Sequence, residues 1–168
     1  MSERLDAVLA RLDDTHEAQL DRLTQLLRIA SVSTDPAHSG DVRKAAECCC
    51  GFLTEGGFEA SVRDTSGHPM VVGHMDGPPD APHILYYGHY DVQPPDPLEL
   101  WDTSPFEPTI VEGANGPKIV ARGAADDKGQ LMMFVEALRA WHEVGGGIPV
   151  RATILLEGEE ESGSPSLD

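Results

Sequence analysis

Three short stretches carry side chains of the kind that hold cations and move protons. Gly88-His89-Tyr90-Asp91 follows an apolar run, Ile84 to Tyr87, that reads as a buried strand. On an extended backbone, residues i and i+2 share a face with Cα atoms about 6 to 7 Å apart, so His89 and Asp91 stand side by side. That spacing suits a metal-binding imidazole with a carboxylate beside it, either as co-ligand or as support for the ring. Arg122-Gly123-Ala124-Ala125-Asp126-Asp127-Lys128-Gly129 lies between a strand pattern and the start of a helix pattern. Glu157-Gly158-Glu159-Glu160-Glu161-Ser162-Gly163 follows the last strand pattern. Taken singly, paired aspartates before a helix serve as caps and meet its dipole, and a glutamate run is a solvated loop. Three such clusters at three strand exits are harder to set aside, because ligand sites in α/β sheets gather at the carboxyl ends of strands. Carboxylates brought together there repel one another unless cations neutralise them. One imidazole with several carboxylates suits zinc, manganese or cobalt, whereas calcium prefers oxygen ligands alone. The aspartate pair does not fit an EF-hand loop, whose acids alternate.

The elements that must position these clusters follow from periodicity. Leu5, Val8, Leu9 and Leu12, then Leu20, Leu23, Leu26 and Leu27, recur at helical spacing, so Ser2 to Ile29 reads as helix with an exposed or broken centre at Asp13–His16. Ser31 to Gly40 is a loop. Asp41 is placed to cap a second helix whose inward face is Val42, Ala45, Ala46, Cys49, Phe52 and Leu53, and Gly56-Gly57 ends it. Phe58–Arg63, Met70–Gly73 and Ile84–Gly88 read as strands, with Pro78, Pro79 and Pro82 marking the turn before the third. Gln93 to Pro105 is a loop that Trp101 packs down. Thr109–Glu112 and Lys118–Ala121 flank Gly113-Ala114-Asn115-Gly116 as a hairpin. Leu131 to Trp141 is a helix stopped by Gly145-Gly146-Gly147, and Val150 to Leu156 is a last buried strand. The pattern predicts an α/β fold with helices packed on a mixed, mostly parallel sheet, the hairpin supplying the mixed character.

The chain has 168 residues, enough for one domain with a real core. Its formal charge is −17, from 29 acidic against 12 basic residues, and such a surface repels phosphate backbones and anionic lipid. Nucleic acid and membranes are therefore not expected as partners. No apolar run approaches a membrane span. Met1-Ser2-Glu3-Arg4-Leu5-Asp6 lacks the basic and apolar segments of a signal peptide. Cys48-Cys49-Cys50 are adjacent, which suits neither a disulfide framework nor a zinc knuckle. Together these features point to a reducing cytoplasm.

The stretches Gly88-His89-Tyr90-Asp91-Val92-Gln93-Pro94, Gly123 to Gly129 and Glu157 to Ser164 resemble the three N-terminal motifs of the co-catalytic zinc peptidase family. That family includes carnosinase-like dipeptidases, aminoacylases, acetylornithine deacetylase and succinyl-diaminopimelate desuccinylase. The Asp91-Val92-Gln93-Pro94 and Glu160-Glu161-Ser162-Gly163-Ser164 versions, with Trp101 between the motifs, are most similar to the dipeptidase branch. The resemblance implies hydrolysis of the amide bond of dipeptides or short peptides by a water activated at two zinc ions, with manganese or cobalt as alternatives. Deacylation of N-acyl amino acids is the neighbouring activity. It implies that His89 is a ligand of one metal and that Asp91 holds its ring. Asp126 bridges both metals, Glu160 is the general base for the attacking water, and Glu161 is a ligand of the other metal. It also implies a cis peptide between Asp126 and Asp127. The other histidines, at 16, 38, 68, 74, 83 and 142, match no motif and are read as non-ligands. Members of the family are much longer; they add a further aspartate ligand, a late histidine ligand, and a second domain that closes over substrate and forms homodimers. The resemblance thus implies that residues 1–168 are the truncated N-terminal part of a catalytic domain, inactive alone or reduced to a metal-binding domain. Asp168 is too near Glu161 to be the missing aspartate, and missing strands would leave an open apolar edge.

Overall fold

The leucine-patterned first stretch does break at its polar centre. In the computed structural model, which describes residues 2–167, α1 (Ser2–Asp14) and α2 (His16–Leu27) meet at Thr15. Met1 and Asp168, the latter weighed above as a ligand, lie outside the described residues. The third helix, α3 (Ser39–Glu55), buries the six residues its periodicity assigned inward. Asp41 is not its cap: it lies in the first turn of α3, where its carboxylate accepts from His38 Nδ1 at 2.9 Å. Gly57, with φ of 93°, turns the chain out of α3.

Strands β1 (Glu59–Arg63), β2 (Met70–Met75) and β3 (His83–His89) follow, then the hairpin β4 (Thr109–Gly113) and β5 (Gly116–Val120), then α4 (Lys128–Gly145) and β6 (Arg151–Glu157). The main sheet has the order β1-β2-β6-β3. It is mixed, as predicted, but not mostly parallel: β1–β2 and β2–β6 are antiparallel, and only β3–β6 is parallel. The hairpin is a separate two-stranded sheet and contributes nothing to the mixture. A parallel pair needs a long crossover, and only α4 supplies one, between β3 and β6.

The core lies between this sheet and α3 and α4. Val71, Met75, Ala152, Ile154 and Leu156 meet Leu53, Phe52, Leu131 and Val135 there, and Tyr86 stacks on Phe134 with ring centroids 4.1 Å apart. Of the three adjacent cysteines Cys49 is a core residue, and burial pushes its thiol well up. β3 is one of the two edge strands, the other being β1. Leu85 and Tyr87 alternate with the core-facing Ile84 and Tyr86 and are exposed.

Candidate metal centre

The parallel pairing of β3 with β6 sets His89 opposite Glu157, so the chain leaves both strands side by side. Tyr90 N donates to Glu157 O at 3.0 Å and ties the two exits together. Tyr90 is fully buried against Gly158, where a Cβ would fall 2.5 Å from its phenol oxygen. The exit of β3 therefore cannot move without that of β6, and the first and third clusters meet for this reason.

Asp91, with no exposed surface, is the hub. Its Oδ1 lies 3.3 Å from His89 Nδ1, which also reaches the Asp91 backbone carbonyl at 3.2 Å. The same carboxylate accepts from Glu160 N at 3.3 Å, from Glu161 N at 3.1 Å and from Ser33 Oγ at 2.6 Å. On the other side of the ring, His89 Nε2 lies 3.1 Å from Asp126 Oδ1 and 3.8 Å from Glu160 Oε2. Asp126 comes from the turn before α4, and the peptide joining it to Asp127 is cis, as the resemblance implies. Asp127 occupies the N-cap position of α4 without a side-chain capping bond; its Oδ2 instead accepts from His89 N at 3.2 Å. Gly88 leaves room for this, since a Cβ there would sit 2.8 Å from Asp127 Oδ2.

Charge follows from these contacts. Burial works against a cationic His89, but Asp91, Asp126 and Asp127 outweigh it and the imidazole is pushed up to about 9. Burial also raises the Asp127 carboxyl, and the neighbouring His89 only partly offsets this.

The structure brings His89, Asp91, Asp126 and Glu160 to one place. Glu161 stands apart: its carboxylate accepts from Gln93 Nε2 at 2.8 Å. Among the described residues no group of three His, Cys, Asp or Glu side chains closes to metal-binding geometry. The donor chemistry nonetheless suits a divalent cation, because an imidazole nitrogen and two carboxylates face one another with only a proton to neutralise them. Trp101 holds down the following loop, as predicted, through Nε1 to Pro95 O at 2.9 Å and a face covered by Arg122. Of the other histidines, His74 and His83 share Thr153 Oγ1, His68 Nε2 reaches Ser33 O, and His38 pairs with Asp41. Sequence reasoning assigned no role to Ser33, Gln93, Lys128 or Glu157. Glu157 was visible as part of the acidic run, yet it is buried, accepting from Ser164 Oγ at 2.9 Å and from the Tyr87 hydroxyl.

Residues 85–167 match the sequence profile of Peptidase family M20/M25/M40. The Cys-Gly metallodipeptidase DUG1 of Saccharomyces cerevisiae is 32% identical over the whole of this chain and 37% of its own length. The solved structure of that yeast dipeptidase superposes with a TM-score of 0.87 over 99% of this chain and 37% of the other. Human carnosine dipeptidase 1 superposes with a TM-score of 0.89 at 26% identity, over 97% of this chain and 36% of that one. The fold is thus that of part of a metallopeptidase catalytic domain. Residues 85–167 carry the peptidase family M20/M25/M40 pattern, and the chain spans little more than a third of the length of the relatives it matches.

Proposed function

We propose that residues 1–168 form the N-terminal part of the catalytic domain of a metal-dependent dipeptidase, a lid and dimerisation domain and the remaining ligands being supplied by further chain. The observation that carries this reading is the cluster of His89 Nε2, Asp126 Oδ1 and Glu160 Oε2 within 4 Å, with the Asp91 carboxylate behind the ring. In this reading His89, Asp126 and Glu161 hold divalent cations, two zinc ions in a complete site, with manganese or cobalt as substitutes. Bound cations would polarise the scissile carbonyl and acidify the attacking water. Asp91 fixes the tautomer and tilt of His89 by accepting from Nδ1. Glu160, half exposed beside His89, takes a proton from the water and returns it to the leaving amine nitrogen. Glu161 releases Gln93 to become a ligand. Among the described residues no helix is long and apolar enough to cross a membrane, and the three free thiols suit a reducing cytoplasm.

The test uses the protein expressed from its complete coding sequence and loaded with zinc. Dipeptides should be hydrolysed in preference to N-acyl amino acids. Glu160→Gln should lower kcat by roughly 10² to 10⁴ without changing the metal content. Preference for N-acyl amino acids would overturn the substrate class, and an active Glu160→Gln enzyme would overturn the assignment of the base.

A further inference from the structure

Ser33 lies in the connection between α2 and α3, outside all three clusters, and is almost fully buried. Its hydroxyl donates to Asp91 Oδ2 at 2.6 Å across 58 residues of sequence, a length typical of a bond to a charged acceptor. The segment around it is fastened on both sides. Val92 N donates to Ser31 O at 3.0 Å, Val32 and Val92 form a parallel bridge, and Ser31 Oγ donates to Tyr90 O at 2.7 Å. Further back, the buried amine of Lys128 donates to Ile29 O at 2.8 Å and Leu26 O at 3.1 Å. Residues 31 and 33 share a face of this extended piece, so both hydroxyls reach the exit of β3. A carboxylate offers about four acceptor positions. Those of Asp91 go to Ser33 Oγ, Glu160 N, Glu161 N and His89 Nδ1, so fixing the first limits rotation about the other three.

We propose that Ser33 is a positioning residue of the candidate centre. By anchoring the Asp91 carboxylate it sets the His89 ring and the backbone of Glu160 and Glu161 together. The functional meaning rests on the metal reading above; the anchoring itself does not.

The experiment compares the unaltered chain with Ser33→Ala and Ser33→Thr. Amide hydrogen exchange by NMR should speed up about tenfold at Glu160 and Glu161 in Ser33→Ala, the loss of one charge-assisted bond's worth of order. Threonine, which keeps the hydroxyl, should restore the slow rates. Ile154 and Leu156, in the middle of β6, should exchange as before in all three. Cobalt(II) titrated into the same samples should bind several-fold more weakly to Ser33→Ala, with altered visible absorption bands, and normally to Ser33→Thr. Unchanged exchange at Glu160 and Glu161 would overturn the proposal, as would an equal acceleration at Ile154 and Leu156, which would mean general destabilisation. If exchange responds as stated while the protein expressed from its complete coding sequence takes up no cobalt, the positioning role stands and the metal reading falls.

Discussion

Asp91 is enclosed by donors: a hydroxyl, two backbone amides and an imidazole nitrogen all lie within 3.3 Å of its carboxylate. With Asp126 and Asp127 close by, the ring of His89 keeps its proton to about pH 9, and a cation arriving at Nε2 must displace it. Zinc affinity of the chain should therefore rise by about tenfold per pH unit up to about pH 9, with one proton released per ion bound. Calorimetry in buffers of different ionisation heats reads both quantities, and an affinity that is flat between pH 6.5 and 8.5 would contradict the expectation. The sign for metal-free stability is the reverse. His89 is raised above its ordinary 6.5, so its contribution is full below about pH 6.5 and is lost as pH rises through about 9. Gly88→Ala should press on Asp127 Oδ2, release His89 N and weaken zinc binding while leaving the β6 core amides protected. Loss of protection at Ile154 without a change in affinity would show that the glycine serves the sheet and not the site. The motif residues were legible because type and spacing alone bring them out. Ser33 was not, since its partner is distant in sequence and nothing local marks it.

At the scale of elements, the centre depends on one topological fact, the crossover through α4 that lays β3 parallel to β6. Helix periods were readable from Leu26, Leu27, Val42, Phe52 and Leu131, and the break at Thr15 from its polar neighbours. Neighbour relations were not readable. Val71 and Ile154 look alike in a strand pattern whether their strands run together or opposed, so the antiparallel β2–β6 pair and the detached hairpin emerged only from the structure. Lys128 is the hinge pin at this scale. It is the first residue of α4, yet its amine satisfies two carbonyls at the end of α2. Lys128→Met should destabilise the chain by about 1–3 kcal/mol in urea denaturation, because the carbonyls of Leu26 and Ile29 each lose a charged donor and keep only one backbone amide. Burial lowers this lysine to about 8, against 10.5 when free, so its charging penalty is full below pH 8 and fades as pH rises towards 10.5. The variant should lose that rise in stability between pH 8 and 10.5. Equal stability of variant and parent at neutral pH would contradict the role.

For the whole molecule, two surface features oppose each other. The formal charge of −17 keeps copies apart, while β3 presents an unpaired edge with Leu85 67% and Tyr87 46% exposed. Salt screens the first and leaves the second, so self-association should increase with ionic strength. Sedimentation velocity should show this, and Leu85→Lys should suppress it without lowering Tm. A chain that stays monomeric at high salt and high concentration would contradict the expectation. The same 168 residues should also bind zinc more weakly than a complete two-metal site, since Glu161 is engaged by Gln93 and Asp126 faces solvent.

The most direct measurement is anomalous diffraction at the zinc edge from crystals of the chain grown with zinc. A peak about 2.0–2.1 Å from His89 Nε2, with the Asp126 carboxylate as its next neighbour, is the predicted result. Zinc bound only at other sites, with the His89–Asp126 contact intact, would contradict the account.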